Sequence, residues 1–421
     1  MEPITALKAE LVPLGNQQTI RAMVTTEHAQ GAVTIPAGIS VGAAEAKLID
    51  PAQAVQTIHE VIGPVLVGKD CLDQRSIDQA LMDLDGTADR SHLGVNALLP
   101  VSLAVARAAA AALSRELYEQ IAELANTEPR LPETIVVALE GGKHAPSSGL
   151  TIQEFSLVGS PATAAQIIDA LDAQLRQMGH PSTTGGEGGL VLSGQLTNQA
   201  ALQLLLDAAI KSGTSQPQLA LDVAASHGVI PEAEVRQLVG QFPIAIIEDP
   251  LEQENLEQWQ AWTKEFGTSR LIAADDLTVG NPRMIKDAVQ QGVANCLVVK
   301  LNQTATLSEL LDLVDLVRVG NWKIVVSHRG LETDDAFITD LAVGIGAEYL
   351  KAGSLRRPER KAKYDRLAAI RIHLQQGTTT GSTVAPQAPS QPPSNPMTSP
   401  PDGDSRTSSE EPSVADSPVG Q

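Results

Sequence analysis

The sequence has few aromatic, cysteine and basic residues, and each shortage argues against a class of protein. It contains four Phe, three Trp and three Tyr among 421 residues, so a core must be built mainly from Leu, Ile, Val and Ala. The two cysteines, Cys71 and Cys296, lie far apart and indicate neither a disulfide framework nor a metal-binding pair. Thirty Lys and Arg against fifty Asp and Glu give a net charge of −20. We therefore expect no nucleic-acid partner, because binding a phosphate backbone requires clustered basic residues.

An apolar leader and a clear membrane span are also missing from the sequence. Met1–Asp50 mixes charged and apolar residues throughout, unlike the hydrophobic region of a secretory signal. The most apolar segment, Leu93–Leu113, contains Asn96, Pro100 and Arg107, so we expect a buried helix rather than a span. These features predict a cytoplasmic protein with no membrane partner.

The first 125 residues predict a small α+β domain. Thr19–Thr26 and Gly31–Pro36 have strand character and are separated by a short turn. Helical stretches follow, and the last of them is predicted as one long Ala-rich helix from about Val95 to Leu124. A meander followed by helices is typical of an α+β cap on a larger domain.

Residues 131–375 alternate apolar strands with stretches of helical length. The clearest strands are Leu219–Ala224, Ile244–Glu248, Leu271–Ala274, Cys296–Leu301, Lys323–Ser327 and Tyr349–Ala352. Continuous apolar strands separated by helices predict a parallel sheet, and at this length the expected closure is a (β/α)8-type barrel. The remaining residues, 376–421, are mostly Pro, Ser, Thr, Gly and Gln, and we expect them to be a disordered tail.

Polar residues end six successive strands of the predicted barrel. They are Asp222, Glu248, Asp275, Lys300, His328 and Lys351, at intervals of 26, 27, 25, 28 and 23 residues. One interval corresponds to one strand and one helix, so the six side chains are expected at the carboxyl-terminal face where barrel enzymes build their active sites. A single acid at a strand end is usually a helix cap or a solvated loop residue. Helix capping does not explain polar residues at the ends of six successive strands.

These six residues are also sorted by charge. The three carboxylates come first, and oxygen ligands of this kind suit a hard cation such as Mg²⁺. The two lysines and the histidine that follow suit an anionic substrate or proton transfer. The residues alone therefore predict a metal-assisted acid–base enzyme that acts on an anion.

Around these residues the sequence resembles the enolase family over roughly residues 15–375. The segments that carry the resemblance include EAKLIDP, DLDGTADRSHLGVNALLPVSLAVARAAA, GGKHA, IQEF, GGEGG, LALDVAAS, PIAIIEDPLEQ, ADDLTVGNP, VVKLNQTATLSE, VVSHRGLETDD and LKAGSLRRPERKAKYDRL, in the family's order. The resemblance implies an enolase-type (β/α)8 barrel with an N-terminal α+β capping domain. It also implies a homodimer or higher homo-oligomer.

The activity implied by the resemblance is the magnesium-dependent dehydration of 2-phosphoglycerate to phosphoenolpyruvate, a glycolytic reaction, with two Mg²⁺ ions at each site. Such sites use a lysine or histidine base assisted by Mg²⁺. By position, Lys300 matches the base and Glu187 the general acid. Asp222, Glu248, Asp275 and the loop residue Ser40 match metal ligands, and His144, Gln153, Glu154, His328, Arg329 and Lys351 match residues that bind a phosphorylated carboxylate substrate.

The sequence departs from the family pattern around the substrate. Leu14 stands where an arginine is usual, Gly186 where an acid is usual, and Gly330 where a serine is usual. Three interpretations stay open: an active phosphopyruvate hydratase, a related enzyme with a different carboxylate substrate, and a non-catalytic paralogue that binds a metal or a partner.

Overall fold

A computed structural model of the protein describes residues 1–38, 46–193, 196–228 and 230–380, with the side chains of 377–380 left out. The chain divides into two compact units, Met1–Leu374 and Gln375–Gln421. Ser40 lies outside the described residues. The last described helix ends at Thr380, and the rest of the tail predicted for residues 376–421 is likewise outside them.

The secondary structure follows the predicted order of a strand meander, helices and alternating strands and helices. The strands are β1 (Ile4–Leu14), β2 (Gln17–Thr26), β3 (Gln30–Thr34), β4 (Glu133–Glu140), β5 (Glu154–Gly159), β6 (Ser182–Thr184), β7 (Leu190–Leu192), β8 (Gln218–Asp222), β9 (Ile244–Glu248), β10 (Leu271–Ala274), β11 (Cys296–Lys300), β12 (Lys323–Ser327) and β13 (Tyr349–Lys351). The α-helices are α1 (Pro51–Thr57), α2 (Gly63–Leu66), α3 (Gln74–Asp85), α4 (Val95–Ala112), α5 (Leu117–Ala125), α6 (Pro161–Gln177), α7 (Asn198–Lys211), α8 (Glu232–Gln241), α9 (Leu256–Phe266), α10 (Pro282–Gln291), α11 (Leu307–Val319), α12 (Phe337–Gly344) and α13 (Pro358–Thr380). A π-helical segment, Ile58–Ile62, joins α1 to α2.

The N-terminal sheet is an antiparallel meander in the order β1–β2–β3, and it packs on α4. Gly31 allows this packing, because a Cβ there would lie 2.3 Å from both Ala104 O and Ala108 N of α4. α4 is apolar and long enough to cross a membrane by length and composition, yet 83% of it is buried inside the protein. The expectation of a buried core helix in this segment agrees with that packing.

The prediction of one long helix from Val95 to Leu124 was wrong, because the segment forms α4 and α5 with a break between them. Ser114 adopts a left-handed backbone conformation with φ 53°, which a continuing α-helix does not allow. Glu116 then starts α5 through a reciprocal capping box with Glu119. The change of direction lets α5 pack against α12.

Eight strands close into a barrel, as predicted. Their order is β4–β5–β8–β9–β10–β11–β12–β13, and β13 pairs with β4. β5 is the exception to the expected parallel sheet, because it runs antiparallel to both β4 and β8. The connection from β4 to β5 contains a 3-10 turn, Pro146–Ser148, but no crossover α-helix of the kind that usually joins parallel neighbours. β6 and β7 form a hairpin that extends the sheet from β4.

The barrel strands are apolar on both faces because both faces are covered. One cluster fills the interior and includes Ile135, Ala220, Ile246 and Val298, while a larger cluster lies between the strands and the surrounding helices. Because both faces of the strands are apolar, the charged side chains of the barrel lie at the strand ends and in the loops, where barrel enzymes build their active sites.

Candidate active site at the barrel mouth

A cavity of about 60 Å³ at the carboxyl ends of the barrel strands contains the predicted site residues that the structure describes. These residues are His144, Gln153, Glu154, Glu187, Asp222, Glu248, Asp275, Lys300, His328, Arg329 and Lys351. Gly38 also lines the cavity, so the described chain reaches the mouth just before the predicted Ser40. Hydrogen bonds between Ala37 and Leu331, of 2.9 and 3.0 Å, hold this segment against the barrel.

Strand register places three carboxylates side by side. Glu154 of β5 is the register partner of Asp222 of β8, which in turn pairs with Glu248 of β9. The antiparallel direction of β5 brings its first residue, Glu154, to the same end of the barrel as the last residues of its neighbours. Gln153 Nε2 donates a hydrogen bond of 3.3 Å to Asp222 Oδ2 and helps to orient that carboxylate.

Lys351 lies at the centre of this carboxylate group. Its Nζ is 2.7 Å from Glu248 Oε2, 3.0 Å from Glu154 Oε2 and 3.3 Å from Asp222 Oδ2. Burial by itself would lower the pKa of Lys351, but the three carboxylates raise that pKa well above its usual value. The side chain is therefore a buried ammonium that neutralises part of the acidic cluster.

Lys300 and Asp275 form a second, partly buried ion pair at the ends of the adjacent strands β11 and β10. Burial opposes charge on both groups, yet their mutual attraction raises the pKa of Lys300 and lowers that of Asp275. The other carboxylate oxygen of Asp275, Oδ1, is buried and has no hydrogen-bond partner within the described residues. This oxygen is therefore available to a ligand.

Asp249 supports Asp275 from the neighbouring strand. Its Oδ1 accepts a 3.1 Å hydrogen bond from the backbone N–H of Asp275, and its Oδ2 accepts one of 2.8 Å from that of Asp276. Asp249 itself has a left-handed backbone with φ 43°, an uncommon conformation for a residue other than glycine. Asp249, Asp276 and His227 all line the cavity, although none of them was predicted as a site residue from the sequence. The adjacent acids in EDP and ADDL were the available signal for the first two.

The predicted acid Glu187 lies on the other side of the cavity, in the loop between β6 and β7. His144 Nδ1 is 3.6 Å from Glu187 Oε2 and 3.7 Å from Glu154 Oε1, and His328 Nε2 is 3.8 Å from Glu187 Oε2. Burial raises the pKa of Glu187, and burial together with the charge of Glu187 raises that of Glu154 to about 8. This environment favours the protonated form of both carboxyl groups, which suits proton donation.

Both histidines are kept neutral by their surroundings. Burial lowers the pKa of His144, and burial with the nearby Arg360 lowers that of His328 well below its usual value. Arg360 contacts His328 Nδ1 and donates a 2.8 Å hydrogen bond to Arg329 O. The backbone just before His144 packs closely at Gly141, since a Cβ there would lie 2.4 Å from Ile152 O.

The donor set fits a hard divalent cation. Asp222, Glu248 and Asp275 contribute only carboxylate oxygens, and Asp275 Oδ1 is a buried oxygen without a hydrogen-bond partner in the described chain. Among the described residues, two groups bring potential ligand atoms within 4.8 Å of one another: His144, Glu154 and Glu187 form one, and Asp249, Asp275 and Asp276 form the other. Of the three predicted carboxylate ligands, Asp275 belongs to such a group, whereas Asp222 and Glu248 contact Lys351. Carboxylate-rich oxygen sites are typical of Mg²⁺.

The three departures from the family pattern meet in a second cavity. Leu14, Gly186 and Gly330 all line an open cavity of about 640 Å³ between the N-terminal strands and the barrel loops. Gly330 also lines the carboxylate-rich cavity, so the two cavities share a wall.

Comparison with protein families gives two matches. Residues 11–121 match the family model described as "Enolase, N-terminal domain", and residues 230–384 match the one described as "Enolase, C-terminal TIM barrel domain". Together the two matches cover more than half of the chain.

Proposed function

The chain belongs to the enolase family, and from that premise we propose that it is a phosphopyruvate hydratase, a magnesium-dependent lyase that dehydrates 2-phosphoglycerate to phosphoenolpyruvate. The observation that carries the proposal is the single cavity that contains the base Lys300, the acid Glu187 and a set of carboxylates. Elimination of water next to a carboxylate needs a base for the proton, an acid for the hydroxyl and positive charge for the resulting dianion.

Asp222, Glu248 and Asp275 would hold the magnesium, with Ser40 proposed as a further ligand. When bound, the metal supplies positive charge that stabilises the dianion formed by proton removal. Asp275 is also the carboxylate that raises the pKa of Lys300. Neutralising the charge of Asp275 would therefore lower the pKa of Lys300 and increase the fraction of deprotonated amine that can accept the C2 proton.

The remaining roles, proton transfer and substrate binding, fall to residues on the two sides of the cavity. Lys300 removes the proton at C2, and Glu187 donates the proton with which the C3 hydroxyl leaves as water. Lys351 binds the substrate carboxylate, and Arg329 binds the phosphate through its planar guanidinium. His144, Gln153, Glu154 and His328 complete the wall that orients the substrate and excludes water.

A second candidate function is a related lyase or binding protein for a different carboxylate. The observation in its favour is the 640 Å³ cavity lined by Leu14, Gly186 and Gly330, which adjoins the carboxylate-rich cavity. A substrate group larger than phosphate would find space there. The retained Arg329 favours the phosphorylated substrate.

The test is the formation of phosphoenolpyruvate from 2-phosphoglycerate, followed by ultraviolet absorbance with and without Mg²⁺. Turnover that requires Mg²⁺ and disappears in Lys300→Ala supports the lyase and its base. The matched control is Lys323→Ala on the adjacent strand, whose side chain is half-exposed and pairs with Glu348. Absence of turnover while Mg²⁺ raises the Tm of the wild-type protein would reject this reaction in favour of the second candidate.

The assembly and location of the protein are further parts of the proposal. We propose a cytoplasmic homodimer or higher homo-oligomer with no nucleic-acid or membrane partner. Light scattering of the purified protein at micromolar concentration tests the assembly, and a monomeric mass would contradict it. Fractionation of cells that express the full chain tests the location.

A further inference from the structure

Glu140 is a buried carboxyl group next to the site to which the proposed reaction assigns no role. It ends β4, and none of its surface is exposed. Its Oε1 accepts a 3.0 Å hydrogen bond from the backbone N–H of Glu187 and one of 2.8 Å from that of Gly189. One carboxylate oxygen therefore binds the backbone on both sides of the loop position that carries the proposed acid.

The loop lies directly on this carboxylate. A Cβ at Gly185 would be 2.3 Å from Glu140 Oε2, and a Cβ at Gly189 would be 3.1 Å from Glu140 Cγ. The loop is also closed on itself, because the N–H of Gly185 donates a 2.8 Å hydrogen bond to Gly189 O. Glycines at 185 and 189 thus allow the backbone to approach Glu140 closely enough for both hydrogen bonds.

A different segment holds the carbonyl groups of the same loop. The N–H of Ser354 donates a 2.8 Å hydrogen bond to Glu187 O, and Arg357 Nε donates one of 2.9 Å to Gly185 O. Glu140 accepts the hydrogen bonds of the loop's N–H groups at Glu187 and Gly189. The position of the Glu187 side chain over the cavity therefore depends on two anchors, one from β4 and one from the loop that follows β13.

We propose that Glu140 is a positioning residue that holds the 185–189 loop and thereby orients Glu187 for proton donation. The inference rests on the proposed lyase function for its catalytic consequence, whereas the hydrogen bonds themselves do not depend on it. Two N–H groups need an oxygen acceptor rather than a charge, so a glutamine at 140 can hold the loop and a leucine cannot. Gly186 lies in the same loop, but a Cβ there would not contact Glu140, because nothing lies within 4 Å of the position that it would occupy.

The experiment compares Glu140→Gln with Glu140→Leu in the full chain. Backbone amide exchange of the peptide spanning 185–189 is measured by mass spectrometry, and kcat and KM are measured with 2-phosphoglycerate. In Glu140→Leu we expect exchange to accelerate about tenfold or more, as the loss of a buried hydrogen bond implies. We expect kcat to fall by about the same factor with little change in KM, because an acid acts in the transition state.

Glu140→Gln should retain slow exchange and most of kcat, which a general loss of stability would not explain. Glu133→Leu, at the exposed start of the same strand, is the matched control and should leave exchange and kcat unchanged. If Glu140→Leu fails to fold, Gly185→Ala tests the same contact from the loop side and should give the same two changes.

Unchanged exchange in Glu140→Leu, or equal losses of kcat in the Gln and Leu variants, would overturn the proposal. If the wild-type protein has no turnover, the lyase proposal fails by itself. The anchoring of the loop by Glu140 is then decided by amide exchange alone, so the two failures are distinguishable.

Discussion

The ammonium nitrogen of Lys351 lies 2.7 Å from Oε2 of Glu248, a carboxylate that the sequence assigned to a metal site. Lys351 itself was assigned to the substrate carboxylate. The ammonium neutralises part of the negative charge of the carboxylates around it, including Asp222 and Glu154. In the proposed function, a cation bound to Glu248 and Asp222 would take over part of that role and leave the ammonium for an anionic ligand.

Replacing Lys351 tests this exchange of partners. Lys351→Met leaves three buried carboxylates without their ammonium, and removing one partner of a buried ion pair costs about 3–5 kcal/mol. We expect a lower Tm in the absence of Mg²⁺ and a larger rise of Tm with Mg²⁺ than in the wild-type protein. Thermal unfolding measured across a magnesium titration checks both. Lys323→Met removes a half-exposed lysine and is the control, with an expected cost of about 0–1 kcal/mol. An equal magnesium response in wild type and Lys351→Met would contradict the exchange.

Replacing Glu187 separates the two proton transfers of the proposed reaction. If Lys300 removes the C2 proton and Glu187 acts only when the hydroxyl leaves, as proposed, Glu187→Gln should lose about 10²–10⁴-fold in product formation. It should still exchange the C2 proton of 2-phosphoglycerate with deuterated solvent, which nuclear magnetic resonance detects. Lys300→Ala should lose both activities. Exchange lost in Glu187→Gln together with product formation would show that Glu187 is needed for the first step.

Gly31 determines how closely the N-terminal sheet packs on α4. A Cβ at this position would meet backbone atoms of Ala104 and Ala108 at 2.3 Å, and backbone cannot move as a side chain can. We expect Gly31→Ala to lower the free energy of unfolding by about 3 kcal/mol or more, at the upper end for an overpacked core. Gly240→Ala, in α8 with nothing within 4 Å, should instead stabilise the protein by about 0.5–1 kcal/mol. Denaturant unfolding of both variants checks the contrast, and a destabilisation below about 1 kcal/mol for Gly31→Ala would refute the close packing.

Asp85 links stability to acid pH. It is buried, its Oδ1 accepts a 3.0 Å hydrogen bond from Thr87 N, and its Oδ2 accepts one of 2.7 Å from Leu93 N. Burial would raise the pKa of Asp85, but the hydrogen bonds from Thr87 and Leu93 outweigh burial and lower it. A lowered folded-state pKa means that the contribution is complete above the unfolded pKa of about 3.9 and is lost as the pH falls through the folded value.

Substitution of Asp85 should therefore lower the free energy of unfolding more at neutral pH than at very low pH. We expect Asp85→Asn to cost about 1–3 kcal/mol at pH 7, because both carboxylate oxygens accept hydrogen bonds and an asparagine keeps only one of them, so one backbone N–H loses its acceptor. The difference from wild type should shrink as the pH falls below about 4, where Asp85 of the unfolded wild-type chain begins to bind a proton while Asp85 of the folded chain is still ionised. Urea unfolding at several pH values measures the difference. Asp83→Asn on the same helix is the exposed control, and a cost for Asp85→Asn that does not vary with pH would contradict the assignment.

Much of the barrel was predictable because its pattern is local. β9, β10 and β12 match the predicted strands residue for residue, and their apolar runs follow from burial on both faces. The direction of β5 was not predictable in the same way. An apolar strand has the same composition in either direction, and only pairing with β4 and β8 determines which end meets the mouth.

The predicted helix from Val95 to Leu124 failed for a related reason. Its Ala-rich composition favours a helix on both sides of Ser114, and local propensity alone does not show where the chain must turn. The turn follows from the packing of α5 against α12, which is more than two hundred residues away in the sequence.

The amino-acid order was sufficient to identify which residues gather at the mouth of the barrel. The carboxyl ends of parallel strands share one face, so regular spacing along the chain is enough to bring Asp222, Glu248, Asp275 and Lys300 together. How these charges pair, and what supports them, depends instead on the folded chain. Glu140 lies under the Glu187 loop, and the ammonium of Lys351 lies among carboxylates from three other strands. Such contacts join residues far apart in the chain, and their geometry depends on register and loop path, for which no local pattern exists.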